Sequence, residues 1–304
     1  MYRKTLGICI SLVFAVAVAA AADTQASRAN LSATQIADKN VAARGGLQAW
    51  RAVHTLSLTG KLGAGGNRRT TLSIPNPNVK SLGSVVPPRP VEEVQLPFKM
   101  ELERPRKMRL ELQFNGKTAV QVYDGVNGWK LRPFLNRLEV EPYTAEELKT
   151  ASMQADLDGP LVDYAAKGTR VELDGMEKVE GRDNYELTLT MKSGQVTHVW
   201  IDAQTFLETK IEGQPRRLDG TDHPVEVYYR DYRTVDGLQI PFVMETKVLP
   251  VAKNSLGIRD TPVPPEKIIT EKVVVNPKLD EARFTKPVVG AASGTNSLAS
   301  AAPR

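Results

Sequence analysis

The chain holds one cysteine, Cys9, three scattered histidines, and aromatic residues at only 6% of its length. A lone thiol forms no intramolecular disulfide, and His54, His198 and His223 lie too far apart for metal-ligand spacing. No Gly-x-Ser-x-Gly elbow occurs, so the usual serine hydrolase arrangement has no support. Residues 60–66 (GKLGAGG) lack the Gly-Lys-Ser/Thr ending of a phosphate-binding loop and read as a flexible hairpin turn. Asp156 and Asp158, in the run DLDG, lack the further oxygens of a calcium loop and read as a helix-ending turn. Glu92-Glu93 reads as a loop edge, and Glu146-Glu147 as a helix's first turn, where negative charge suits the dipole. Neither pair forms a visible acid/base couple. These absences point to a non-enzyme with no cofactor and no metal.

Long apolar runs are also missing, with one exception. Arg3 and Lys4 precede an apolar stretch from Leu6 to Ala22 that ends in small residues. This is the pattern of an export signal, with cleavage near Ala20 to Ala26, so the mature chain is expected to be exported. Cys9 sits at the start of that run and not after it, so it is not a lipid-modified cysteine. Loss of residues 1–26 removes the only thiol and, with Arg3, Lys4 and Asp23, lowers the formal charge from +5 to +4. Mixed charge of that size gives no footprint for nucleic acid. Arg68-Arg69 and Arg216-Arg217 read as solvated loop charge.

What the chain does have is strand after one-sided strand. Leu96, Phe98, Met100 and Leu102 alternate with polar residues, as do Met108, Leu110, Leu112 and Phe114. Tyr185, Leu187, Leu189 and Met191 repeat the pattern, and so do Leu238, Ile240, Phe242 and Met244. Successive strand side chains point to opposite faces, so each segment has one apolar and one wetted side. Strands are expected at about 96–104, 106–114, 117–124 and 127–133, a second meander at 170–249, and a closing strand at 267–275. Asn115-Gly116, Asn127-Gly128, Asp174-Gly175, Ser193-Gly194 and Asp236-Gly237 mark turns.

Helices are few. Ser32 with Gln35 forms a capping box opening a helix over 31–52, interrupted at Gly45-Gly46. Thr144 with Glu147 opens a second, which stops at Asp158-Gly159-Pro160 before a short helical piece, 161–167. Proline-rich residues 75–91 and 250–265 read as loops, and 287–304 as a disordered tail. The fold class is mainly β with helices (α+β), in a domain spanning 31–286. A single curved antiparallel sheet, with the N-terminal helix and the mid-chain helical segment over its concave face, competes with a β-sandwich.

Three stretches resemble a known family. Residues 40–58 (NVAARGGLQAWRAVHTLSL), 123–134 (YDGVNGWKLRPF) and 174–243, with "WIDAQTFL" and "DYRTVDGLQIPF", resemble the periplasmic lipoprotein-carrier superfamily, the LolA/LolB-like proteins. The resemblance implies an unclosed β-barrel with helices at its mouth and a cavity for lipid or lipoprotein acyl chains. It also implies a role in outer-membrane lipoprotein sorting, or a related lipid-binding role, with transient contact to envelope membrane proteins. The residues expected to line the cavity are those on the apolar rows: Leu56, Leu58, Phe98, Met100, Leu102, Met108, Leu110, Leu112, Trp129, Leu131, Leu187, Leu189, Trp200, Leu207, Ile211, Phe242 and Met244. Trp50, Leu148 and Met153 are expected to act as a lid. A monomer is expected. The competing readings are an interaction module of the same fold with a side-chain-filled interior, and a hydrolase with two converging carboxylates.

Overall fold

The computed structural model describes residues 31–65, 93–133, 137–218, 220–252 and 263–288. The expected export signal, the expected loop at 75–91, most of that expected at 250–265 and nearly all of the expected tail lie outside the described residues.

Thirteen strands form one antiparallel sheet in the order β6-β5-β4-β3-β2-β1-β13-β12-β11-β10-β9-β8-β7. In chain order they are β1 (Thr55–Gly65), β2 (Glu93–Glu103), β3 (Lys107–Phe114), β4 (Lys117–Tyr123), β5 (Gly128–Arg132), β6 (Arg137–Pro142), β7 (Arg170–Val179), β8 (Arg182–Thr190), β9 (Val196–Asp202), β10 (Glu208–Leu218), β11 (Thr221–Val235), β12 (Leu238–Val248) and β13 (Glu266–Val275). Every neighbour in the sheet is a neighbour in sequence except β1 and β13, which join the chain's two ends. The meander is therefore closed where its ends meet and left open between β6 and β7. Residues 143–169 span that opening.

Three helices lie on one face, the inner face: α1 (Ala33–Ala43), α2 (Leu47–Arg51) and α3 (Ala145–Gln154). Both expected capping boxes form, with Ser32 and Gln35 bonding reciprocally at α1 and Thr144 and Glu147 at α3. A single sheet with helical cover, and not a sandwich, is what the chain builds.

Helical cover divides the inner face into two packed clusters. Trp50 of α2, Ala151 of α3, Leu157 and Val162 pack on Leu56, Leu102, Met108, Tyr123, Leu238, Phe242 and Val273. Ile36 and Ala37 of α1, with Leu161, pack on Tyr185, Leu187, Leu189, Val199 and Ile201. Leu161 and Val162 are adjacent yet serve different clusters, so the 155–169 segment ties the two halves together. That segment is a run of turns and not the helical piece expected at 161–167.

Several turns differ from their sequence signals for local reasons. Asn115-Gly116 and Asp236-Gly237 have the positive φ of tight hairpins, at 48° and 71°, and 49° and 82°. Gly128 instead opens β5, where any Cβ would lie 1.9 Å from the Tyr143 ring. The turn before it is made by Asp124, whose Oδ1 accepts from the Val126 and Asn127 N–H groups. Asp174-Gly175 is a bulge inside β7, and the turn comes at Glu180-Gly181. Gly60 to Gly65 continue β1 and form no hairpin turn.

Gly45 combines φ +115° with close approach, because an added Cβ would meet Gly237 O at 2.5 Å. Gly45→Ala is therefore expected to destabilise the fold by about 2–4 kcal/mol, through backbone strain and overpacking together. Urea unfolding checks this, and an unchanged midpoint would show that the α1–β12 approach is not tight.

Candidate functional site

Strand register decides which expected residues share the inner face. Leu58 stands opposite Met100, Met100 opposite Leu110, and Phe98 opposite Leu112. Leu62 and Met244 both stand opposite Ile268 of β13, which joins β12 to β1. A continuous apolar band therefore crosses β12, β13, β1, β2 and β3. Its members Leu58, Leu62, Met100, Leu110, Leu112, Met244 and Ile268 are all only half-buried.

Their row-mates nearer the helices are different. Leu56, Leu102, Met108 and Phe242 are buried in the helix-covered cluster, and Leu187 and Leu189 are fully buried in the other. Phe98 is buried, and Ile211 packs at the margin of the second cluster. Leu207 is not on a strand row, since it sits in the β9–β10 turn.

Three of the expected lining residues are on the wrong face. Trp129 pairs with Val122 and Leu131 with Val120, each one step out of phase with inner Tyr123 and Gln121. Trp200 pairs with Lys210 and Glu186, while its neighbour Val199 pairs with inner Leu187. A one-residue change of phase moves a strand side chain to the opposite face. Trp200 instead clusters with Val179 and Tyr228 on the outer face, with Lys210 Nζ 3.7 Å from its ring and its indole N–H donating to Glu177 at 2.5 Å. In β5 the apolar row Trp129 and Leu131 is the outer one, and in β9 apolar residues stand on both faces, so the apolar rows of these strands do not mark the inner side.

Of the lid residues, Trp50 is 2% exposed and tightly held. Its indole N–H donates to Arg44 O at 3.1 Å, and the Arg44 guanidinium lies 4.5 Å from its ring. Leu148 packs at the margin of the same cluster, and Met153 is half-buried on α3.

A polar girdle surrounds the helical cover. Arg44 donates to Asp158 O at 2.8 Å and to Glu208 at 3.2 Å, and the Tyr232 hydroxyl also donates to Glu208 at 3.2 Å. Burial, with the Glu208 charge, holds the Tyr232 hydroxyl well above its ordinary pKa, so it stays a donor. Asp158 receives Arg104 at 2.6 Å and Lys167 at 2.7 Å, and Lys167 also reaches Asp156. Burial pushes the Asp156 carboxyl up. The same burial at Asp158 is outweighed by hydrogen bonds from Asp156, Lys167 and Arg104, which hold it low. The DLDG run is thus a helix-ending turn neutralised by cations. Among the described residues, no three His, Cys, Asp or Glu side chains group as a metal site.

Sequence reading missed a pocket of about 280 Å³ between α3 and strands β4 and β5. Most of its lining residues are of polar type, including Gln121, Lys130, Arg132, Tyr143, Glu146 and Glu147. Lys130 Nζ donates to both Glu147 oxygens at 2.5 and 2.6 Å. Burial raises the Glu147 carboxyl, but Lys130 and the Thr144 backbone N–H together hold it below the ordinary glutamate value. A carboxyl lowered on folding contributes stability that is present above its unfolded pKa and is lost as pH falls through the lowered one. Wild-type protein is therefore expected to lose part of its urea resistance as pH falls below the ordinary glutamate range, and Glu147→Gln to flatten that loss. Parallel pH profiles for the two proteins would show that the pair contributes nothing.

His223 lies within β11 and is 1% exposed, with Nδ1 at 3.2 Å from Leu249 O. Among the described residues, no helix is long and apolar enough to cross a membrane.

No family model and no curated protein matches the chain. Several solved structures are similar to it. A domain described as an outer membrane lipoprotein-sorting protein, from Vibrio parahaemolyticus, is 13% identical, with a TM-score of 0.46 over 84% of this chain and 96% of that one. A LolA superfamily protein from Nitrosomonas europaea is 13% identical, with a TM-score of 0.47 over 84% of this chain and 98% of that one. A DUF1329 family protein from Desulfovibrio piger is 14% identical, with a TM-score of 0.49 over 84% and 97%. At these values the likeness concerns the fold alone.

Proposed function

We propose that the chain is a non-catalytic, periplasmic acyl-chain-binding protein, and that the apolar band on the inner face is its binding surface. One observation carries the reading. Inner positions beneath the helices are filled by the protein's own side chains, whereas Leu58, Met100, Leu110, Leu112 and Met244, on adjoining positions of the same face, retain exposure. Apolar side chains that remain accessible beside a packed core leave transfer free energy for a partner to recover, about 0.8 kcal/mol per buried CH₂ of a lipid chain. Two of the five are methionines, whose unbranched, polarisable side chains adapt to chains of different shape. The reading extends to lipoprotein acyl chains and to a sorting role in the envelope, as the sequence resemblance implies.

A second reading has support from the packing. Met108, Leu187, Leu189 and Leu238 are all about 1% exposed or less, so the helix-covered part of the interior is filled. On that reading the chain is an interaction module, and its exposed apolar side chains meet an envelope protein. Titration with N-phenyl-1-naphthylamine, a neutral fluorescent probe, separates the two. Acyl-chain binding requires enhanced emission that palmitate displaces stoichiometrically. Absence of both enhancement and displacement sinks the carrier reading and leaves the interaction module.

A further inference from the structure

We propose that the pocket beneath α3 holds the zwitterionic head group of an amphiphile, an anionic phosphate or carboxylate beside an ammonium, while its chain lies along the apolar band. The inference rests on the band reading above and gives it a ligand class. Register supplies the continuity. On the inner face, Leu58, Met100, Leu110, Gln121 and Lys130 follow one another across β1 to β5. One row of side chains therefore changes from apolar to polar over four strand spacings, about 19 Å. An amphiphile has the same division along its length.

The charges at the polar end select the head group. Lys130 is neutralised by Glu147, and one Arg132 nitrogen is bound to Glu141 at 2.9 Å. Two groups in the pocket wall lack a charged or hydrogen-bonding partner among the described residues. Arg132 Nε is buried and meets no hydrogen-bond partner among the described residues. Glu146, on the first turn of α3, makes no ion pair among the described residues. The pocket lining thus includes a part-exposed guanidinium with one unfilled donor and an exposed carboxylate without an ion pair. With Lys130 and Glu147 neutralising each other, a simple anion would still face the Glu146 carboxylate, and a simple cation would leave the Arg132 donor unfilled. A ligand carrying both signs satisfies both open groups, with the guanidinium N–H meeting the phosphate or carboxylate and Glu146 meeting the ammonium.

Calorimetry on the full mature chain tests this with four probes: monomeric dihexanoyl phosphatidylethanolamine, monomeric dihexanoyl phosphatidylglycerol, free phosphorylethanolamine and the neutral naphthylamine probe. Wild-type protein is expected to bind the ethanolamine lipid at least fivefold more tightly than the glycerol lipid. The Glu146→Gln and Arg132→Gln variants should each erase that preference. Glu146 is exposed, so its variant keeps the test sound if the Arg132 variant does not fold. Equal binding of the two lipids, with the neutral probe still bound, overturns the head-group inference and leaves the band reading standing. Absence of binding by the neutral probe and both lipids overturns the two together. Phosphorylethanolamine binding as tightly as the ethanolamine lipid would assign the pocket to a free soluble zwitterion and overturn the shared site.

Discussion

Leu110→Asp is expected to weaken binding of the neutral probe and of palmitate at least tenfold while leaving the fold intact. Leu110 lies at the β3 end of the band, between Met100 and Gln121 in register. It is half-buried and belongs to neither packed cluster, so its loss opens no cavity in the core. A carboxylate there must be desolvated when a chain covers it, which costs several kcal/mol unless a partner is supplied. Each 1.4 kcal/mol of that cost is a tenfold loss of affinity. The matching change on the outer face, Leu131→Asp, should leave affinity unaltered, because Leu131 stands out of phase with the band. Equal losses from both substitutions would show that binding does not depend on the inner face.

The largest effect on stability is expected at Trp50, where truncation to alanine should cost about 3–5 kcal/mol. Its ring is 2% exposed at the centre of the first cluster, where α2 meets β1, β2 and β12. Truncation also leaves Arg44 O without the indole donor and removes the ring beneath the Arg44 guanidinium. Trp50→Phe keeps most of the volume and should cost much less. Denaturant unfolding of the two variants measures the difference. If both are nearly neutral, the helical cover is loosely held, and Trp50 would act as a moving lid and not as a fixed anchor.

Particular residues show how far the sequence could carry these conclusions. Period-two alternation gave the strands, because each strand needs one apolar side, and the two capping boxes gave the starts of α1 and α3, because their bonds are local. The phase of short or bulged strands was harder to read. In VTHVWID apolar residues fall at both parities, and in GWKLR the apolar pair forms the outer row while Lys130 faces in, so only pairing with β4 and β8 fixes which side faces the helices. Trp129, Leu131 and Trp200 were misplaced for that reason. The α3 pocket was invisible because it joins Gln121 and Lys130 on neighbouring strands to Glu146 and Glu147 on a helix, a long-range juxtaposition with no local motif. Nor could the division between filled core and open band be read, since Leu56 and Leu58 have the same identity and face and differ only in what lies above them.

The most direct test of the central claim is methionine-methyl NMR of the mature protein during titration with palmitate. Met100 and Met244 lie in the band, whereas Met176 is exposed on edge strand β7 and Met191 packs beside the second cluster. Binding on the apolar band, and not elsewhere on the inner face, requires the Met100 and Met244 methyl signals to shift saturably while Met176 and Met191 stay in place. Saturable shifts at Met176 alone, or no shift at Met100 and Met244 once ligand is bound, would contradict it.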